Sequence, residues 1–190
     1  MNTMWQLAAM SALTFGLAAA ASAAPDDVPL IDREVLFGNP ERAGVQLSPD
    51  GVHLSFLAPV DGVMNVWVGP AEDFAAAKPI TKDTHRGIRQ YFWAFNNSHI
   101  VYLQDKGGDE NWRAYSVDIK TGDEKDLTPF ENVRANIQAV NWQFPNEILV
   151  SLNDRNPQFH DIHKVNLVTG ERTLVQQNDG FASFQPDEDF

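Results

Sequence analysis

The 190-residue chain contains no cysteine. Disulfide bonds, thiolate metal sites, cysteine nucleophiles and acylation of a lipoprotein cysteine are therefore excluded. Basic residues are also scarce, because 14 Lys and Arg stand against 26 Asp and Glu and leave a net charge of −12. A surface of that sign repels phosphate backbones and anionic lipid, so we expect no binding of nucleic acid and no electrostatic attraction to a membrane.

The sequence also lacks a G-x-S-x-G motif, the sharp turn that presents a serine nucleophile in many hydrolases. Its serines fall in predicted turns or strands, where no helix N-terminus supplies an oxyanion hole. His160 and His163 lie three residues apart on a predicted strand and would face opposite sides, so one ion could not readily take both. We therefore expect no catalytic residue, no metal site and no cofactor in this chain.

The amino-terminal residues have the pattern of a targeting segment. Residues 7–24 are uncharged, mostly Ala, Leu and Met, and include the small-residue triplet Ala21-Ser22-Ala23. This pattern predicts a secretory signal peptide at residues 1–23, cleaved after Ala23. The alternative, a retained membrane anchor, is disfavoured because the run is short and alanine is only weakly apolar. We expect a periplasmic or secreted protein with no stable membrane insertion after cleavage.

The rest of the sequence repeats itself. Trp67, Tyr115 and His163 follow one another at intervals of 48 residues, each in a short strand-like run, and Thr121-Gly122 and Thr169-Gly170 recur at the same interval. Helical repeats of similar period are disfavoured, because the apolar runs are short and broken by Gly, Pro and Asn. Each unit reads as four strands, the pattern of a β-propeller blade. The clearest strands are predicted at 89–95, 99–104, 112–118 and 124–128, and at 136–144, 147–152, 161–166 and 172–176.

The sequence thus predicts an all-β fold, a partial β-propeller of about three four-stranded blades that follows the signal peptide. The expected organisation is a lead-in segment at 24–42, blade one at 43–83, blade two at 84–130, blade three at 131–179 and the start of a truncated fourth blade at 180–190. The first strand of that fourth blade is predicted at 181–184. Propellers need about four to eight blades, so we expect this chain to be part of a longer protein.

Four stretches carry a family resemblance: Arg33–Arg42, Leu47–Gly51, Tyr102–Trp112 and Asn153–Asp161. In order and spacing they resemble the N-terminal propeller of secreted bacterial serine peptidases of the prolyl oligopeptidase family, in the acylaminoacyl-peptidase and dipeptidyl-aminopeptidase-like branch. The resemblance covers essentially residues 30–190. It implies a propeller that caps a following α/β-hydrolase domain, which holds the catalytic Ser, Asp and His. It also implies that the propeller admits short peptides and excludes folded proteins.

On that resemblance we expect the substrate-gating propeller portion of an exported serine peptidase, without the hydrolase domain in this sequence and therefore inactive alone. The implied partners are the C-terminal α/β-hydrolase domain of the parent protein and short peptide substrates. A second function stays open at this point: a stand-alone periplasmic propeller of the TolB-like kind, which binds protein.

Two polar loops, at equivalent positions between strands, are the candidate contact sites. The predicted substrate or interdomain contacts are Asp105, Asp109, Glu110, Asn111 and Arg155. For Arg155 the alternative is a salt bridge within its own loop. The run Gly107-Gly108-Asp109-Glu110 also resembles the GGDEF signature of cyclic-dinucleotide synthases. Strand repeats flank it, however, so a glycine hairpin between two strands is the better interpretation.

Overall fold

The computed structural model describes residues 30–190. The predicted signal peptide, with its cleavage site after Ala23, and the first part of the lead-in segment at 24–29 lie outside the described residues. Residues 30–37 contain one short helix, α1 (Arg33–Phe37), which begins where the Asp32 carboxylate accepts a hydrogen bond from the amide of Glu34 at 3.0 Å. No helix in the described part of the chain is long and apolar enough to cross a membrane.

Residues 38–190 form three four-stranded antiparallel sheets whose strands are paired in chain order. Blade one contains β1 (Ala43–Leu47), β2 (His53–Val60), β3 (Val63–Pro70) and β4 (Lys78–Pro79), with a 3₁₀ turn at Phe74–Ala76. Blade two contains β5 (Tyr91–Trp93), β6 (His99–Gln104), β7 (Arg113–Asp118) and β8 (Glu124–Asp126). Blade three contains β9 (Ala135–Val140), β10 (Glu147–Asn156), β11 (Phe159–Asn166) and β12 (Arg172–Gln176). The predicted all-β fold of three four-stranded blades is confirmed.

The 48-residue period has a direct structural counterpart. Trp67, Tyr115 and His163 all lie on the third strand of their blades. The turns that follow β7 and β11 are also alike, because Gly122 and Gly170 adopt φ angles of 72° and 77° and each donates its amide to a carbonyl four residues earlier at 2.8 Å. Glycine accepts this left-handed conformation without the steric penalty of a side chain, which explains why it recurs at the same place.

The two larger hydrophobic clusters lie in the seams between consecutive blades, and a smaller one, around Phe56, lies within blade one. Between blades one and two, Leu57 and Val66 pack with Trp93 and Ile100. Between blades two and three, a second cluster joins them through the following side chains: Val101, Ala114, Leu127, Ile148, Val150, Leu152 and Val165. Each sheet is therefore covered by its neighbour along the chain, and the blades stabilise one another through apolar contact.

The structure differs from the sequence prediction at 136–144 and at 181–184. The strand predicted at 136–144 ends at Val140, because Asn141 starts a turn in which its side chain accepts the amide of Gln143 at 2.8 Å. The predicted strand at 181–184 is not formed. There, the amide of Phe181 bonds to the Asn178 side chain at 2.7 Å, and the carbonyl of Phe184 bonds to the side chain of Gln138 at 2.7 Å. Side chains, rather than a neighbouring strand, thus satisfy these backbone groups.

Candidate functional site

Asp105 is the buried member of the first candidate cluster. It follows β6 directly, and its side chain is 3% exposed. One carboxylate oxygen lies 3.2 Å from Nε of Arg86, and the other accepts the amide of Glu110 at 3.4 Å. Arg86 belongs to the connection that leads from blade one to blade two, where its own amide bonds to the carboxylate of Asp83 at 3.2 Å. Asp105 therefore fixes the β6–β7 loop to the preceding connection.

The other members of this cluster, Asp109, Glu110 and Asn111, lie in the same loop. Asp109 accepts the amides of Lys106 at 3.2 Å and of Asn111 at 3.1 Å. Desolvation acts to raise the pKa of Asp109, but these hydrogen bonds outweigh it and lower the pKa below its usual value. Glu110 is exposed and has a positive φ of 59°. The predicted glycine hairpin between two strands is confirmed, and a helix–strand cyclase architecture is absent from this part of the described chain.

Gly108 allows Arg86 to reach Asp105, which gives a first prediction. A Cβ at this position would lie 2.5 Å from Nη1 of Arg86, and the φ of 92° is unfavourable for any other residue. We expect Gly108→Ala to displace the guanidinium and to lower the free energy of unfolding by about 1 kcal/mol, because Arg86 is partly exposed and solvent screens its contact with Asp105. The matched control is Gly107→Ala, which also has positive φ but no atom within 4 Å of the added Cβ. Equal losses in urea unfolding of the two variants would contradict the proposed contact.

Arg155 lies in a separate cluster at the end of the β10–β11 hairpin. The structure places it on β10 rather than in the predicted loop. Its guanidinium makes two hydrogen bonds to the Asp161 carboxylate, from Nε at 2.7 Å and from Nη2 at 2.9 Å. Nη2 also bonds to the carbonyl of Asn178 at 2.7 Å, and the amide of Asn178 returns to Asp161 at 2.7 Å. This network joins the hairpin to the segment that follows β12.

The Arg155 guanidinium holds the pKa of Asp161 below its usual range, against the effect of burial, and the Asn178 amide acts in the same direction. A bidentate, charge-assisted pair on a nearly buried carboxylate is a strong local contact. The geometry therefore shows the local salt bridge that the sequence left as an alternative. The substrate or interdomain contact stays a prediction for Arg155. It also stays a prediction for the Asp105–Asn111 loop, whose carboxylates bond to Arg86 and to amides of the loop itself.

The histidine pair has the arrangement expected from strand alternation. On β11, His163 lies opposite Val150 of the seam between blades two and three, whereas His160 lines a cavity on the other face together with Asn136 and Ser151. Burial lowers the pKa of both histidines, so they are neutral at pH 7. In residues 30–190, no group of three or more His, Asp or Glu side chains is placed to hold a metal ion.

A third feature was missed by sequence reasoning, since no recognised motif marks it. A cavity of about 380 Å³ is lined by Arg89, Gln90, Leu103, Trp112, Arg134 and Asn136. Both arginines stand just before the first strand of a blade, Arg89 before β5 and Arg134 before β9. A basic residue one or two positions before the first strand of consecutive blades was the signal that could have identified them.

Comparison with known proteins places the chain in a family. No family model matches the sequence. The chain is 50% identical over 188 residues to dipeptidyl aminopeptidase BIII of Pseudoxanthomonas mexicana, an alignment that covers 95% of this chain and 27% of that protein. It is 31% identical over 169 residues to dipeptidyl peptidase family member 6 of Caenorhabditis elegans, covering 85% of this chain and 23% of that protein. The chain thus spans about a quarter of the length of these two curated relatives.

A solved structure agrees with the fold. The crystal structure of puromycin hydrolase superposes with a TM-score of 0.50 at 18% identity, over 72% of this chain and 22% of that one. At this identity the likeness concerns the fold alone. With half of its residues shared with a dipeptidyl aminopeptidase, and with three successive four-stranded blades, the chain belongs to the propeller region of the prolyl oligopeptidase family of peptidases.

Proposed function

We propose that this chain is the substrate-gating propeller portion of an exported serine peptidase that acts on short peptides. The observation that carries the proposal is the 50% identity to a dipeptidyl aminopeptidase over 95% of the chain. In the proposed parent protein, a C-terminal α/β-hydrolase domain supplies the catalytic Ser, Asp and His. Export is proposed from the apolar run and the Ala21-Ser22-Ala23 triplet at the amino terminus.

The first strands of the blades supply the physical basis for gating. Gln46 near the end of β1, Tyr91 on β5 and Asn136 on β9 line one open cavity of about 600 Å³. This cavity lies where the three blades present their first strands, which form the inner wall of a propeller. An opening between first strands can admit an extended peptide but not a folded domain. The propeller then selects substrates by width rather than by a reaction of its own.

Two buried serines, Ser55 and Ser116, are engaged in structural hydrogen bonds, which fits a non-catalytic propeller. The hydroxyl of Ser55 lies 2.9 Å from that of Tyr91 and accepts Nε1 of Trp93 at 2.8 Å. The hydroxyl of Ser116 donates to the carbonyl of Leu167 at 2.8 Å. Serines held in this way lack the adjacent base that activates a nucleophile.

The proposal is tested with the 190-residue chain and with its complete parental reading frame, both expressed in a Gram-negative host. We expect a fluorophosphonate probe to label the parental protein and to leave the 190-residue chain unlabelled. Mass spectrometry of the exported protein should find Ala24 as the first residue. Stoichiometric labelling of the short chain would overturn the assignment. A parental gene without a hydrolase domain would favour the stand-alone, protein-binding propeller.

Gating is tested in the same parental protein by narrowing the cavity. We expect Asn136→Trp to lower kcat/KM for long peptides more than for dipeptide substrates, because an extended long peptide contacts the narrowed opening over more of its length. The matched control is Val175→Trp on β12, the last strand of blade three, where the side chain is exposed. Equal losses for all substrate lengths would contradict gating.

A further inference from the structure

Arg89 and Arg134 stand out because of how the other arginines are used. In residues 38–190, four arginines form ion pairs with carboxylates: Arg86, Arg113, Arg155 and Arg172. Arg42 instead lies over the rings of Phe56 and Phe74. Of the arginines in residues 38–190, only Arg89 and Arg134 have guanidinium groups with neither a hydrogen-bond or ion-pair partner nor an aromatic ring against them among those residues. Both are exposed, and both line the same cavity.

That arrangement is unusual in a chain with 26 acidic and 14 basic residues. With so many carboxylates available, an arginine at a random surface position readily finds a partner. Two unpaired guanidiniums in one cavity therefore create a local positive potential on a protein that is negative elsewhere. Arg134 already acts on its surroundings, because its charge adds to the effect of burial in lowering the pKa of His160.

The backbone on both sides of the cavity is held in place. The carbonyl of Trp112 accepts the amide of Ala135 at 2.7 Å, which joins the β6–β7 loop to the start of β9. The amide of Arg134 donates to the side chain of Asn153 at 2.7 Å. The half-buried ring of Trp112 and the side chain of Leu103 supply apolar surface beside the guanidiniums. The cavity thus combines two positively charged side chains, one of them on a held backbone, with an apolar wall.

We propose that Arg89, Arg134 and Trp112 form a binding site for the carboxylate of a peptide. Guanidinium forks match the two oxygens of a carboxylate, and the indole packs against the adjoining peptide side chain. The net charge of −12 disfavours polyanions such as nucleic acid, so a single anionic group fits better. This inference rests on the proposed function for the identity of the ligand as a peptide, and it adds a preference for charge to a gate that selects by width.

The site is tested by NMR titration of the 190-residue chain, with the indole signal of Trp112 assigned through Trp112→Phe. The probes are N-acetyl-trialanine with a free carboxyl terminus, its C-terminal amide, and N-acetyl-Ala-Glu-Ala amide. We expect the amide without Glu to bind at least about tenfold more weakly than the free acid. If the Glu peptide binds as tightly as the free acid, an acidic side chain also serves as ligand. If it binds as weakly as the neutral amide, the site recognises only the C-terminal carboxylate of the peptide. Either result supports a carboxylate site.

Charge-removing variants assign the binding to these residues. We expect Arg89→Gln and Arg134→Gln each to weaken binding of the free-acid peptide by about fivefold. Arg→Lys at either position should have an intermediate effect, because lysine keeps the positive charge but lacks the two-pronged guanidinium. The control Lys78→Gln removes one positive charge from exposed β4 and should change affinity by less than about twofold. Circular dichroism melts confirm that all variants fold.

Equal binding of the free acid and the neutral amide would overturn the inference, as would a Lys78→Gln effect as large as that of Arg89→Gln. The outcome is independent of hydrolysis, because binding is measured on this chain alone. A parental protein without peptidase activity would remove the proposed function while leaving a carboxylate site intact. A parental protein with peptidase activity, but whose propeller binds the free acid and the amide equally, would support the proposed function and overturn the carboxylate site.

Discussion

Replacing Ser55 with alanine should lower the free energy of unfolding by about 2 kcal/mol, the cost of leaving a buried polar group without its partner. Ser55 lies on β2 and is fully buried, and its hydroxyl accepts the indole N–H of Trp93 on β5 at 2.8 Å. It also bonds to the hydroxyl of Tyr91, which donates to the carbonyl of Gly44 at 2.6 Å. These bonds cross the seam between blades one and two, so their loss weakens the contact between blades.

Burial of this network is also apparent in Tyr91, because desolvation raises the pKa of its hydroxyl to about 12. In the Ser55→Ala variant, Tyr91 keeps its bond to Gly44, whereas the indole N–H of Trp93 loses the one hydrogen-bond partner that it has in residues 30–190. The thermal midpoint should fall by about 4–8 °C, as expected for this loss in a domain of this size. Calorimetry and urea unfolding measure the two quantities.

A matched control exists two repeats further along the chain. Ser151 lies on β10, the strand that corresponds to β2, and it is also buried. Its hydroxyl has no hydrogen-bond partner in residues 30–190, so Ser151→Ala should change stability by less than about 0.5 kcal/mol. If both variants lose the same stability, the loss comes from the strand environment of the serine and not from the seam network.

The sequence predicted the strands well where short-range pattern decides them. The bounds predicted at 99–104 and 172–176 match β6 and β12, because short runs with β-branched and apolar residues are bounded by turn formers. The end of β10 shows the limit of such patterns. Asn153-Asp154-Arg155-Asn156 has the composition of a loop, yet it continues the strand to Asn156. The turn is made instead by Pro157 and Gln158, whose amide bonds to the Asn156 side chain at 2.9 Å.

The candidate site was harder to predict, because its contacts join residues from different elements. The sequence identified Asp105 and Arg155 as members of two polar loops, but the choice of Arg86 as partner for Asp105 depends on how two connections meet. The cavity of Arg89 and Arg134 was missed for the same reason. A sequence shows which residues carry charge but not which charges lack a partner, since pairing is set by the three-dimensional approach of side chains.

Acidification is expected to destabilise the protein from about pH 6.5 downward, well before its carboxylates titrate. His99, His160 and His163 have pKa values lowered below 6.5, chiefly by burial, which disfavours the charged imidazolium. Once unfolded, each histidine takes up a proton near pH 6.5 that the folded chain does not accept. Stability is therefore lost as the pH falls from 6.5 towards each folded pKa, at no more than about 1.4 kcal/mol per pH unit for each histidine.

The carboxylates change the stability of the protein in a lower pH range. Hydrogen bonds and nearby positive charges lower the pKa of Asp161 and Asp118 below 3.8, so their stabilising contributions are complete above that pH and are lost only as the pH falls through the folded values. Asp126 has the opposite effect on stability as the pH falls. Burial raises its pKa above 3.8, and stability therefore increases as the pH falls through its folded value. One such group offsets only part of the effect of three histidines.

Urea unfolding at pH 8, 7, 6 and 5 measures this dependence, with ionic strength held constant to keep screening equal. His163 offers the sharpest variant, because it is 5% exposed at the seam between blades two and three. His163→Gln removes one titrating group, so the loss of stability between pH 7 and pH 5 should shrink by about one third if the three histidines contribute equally. A wild-type protein of constant stability from pH 8 to pH 5 would contradict the neutral, buried state of all three, since the folded and unfolded chains would then bind equal numbers of protons throughout that range.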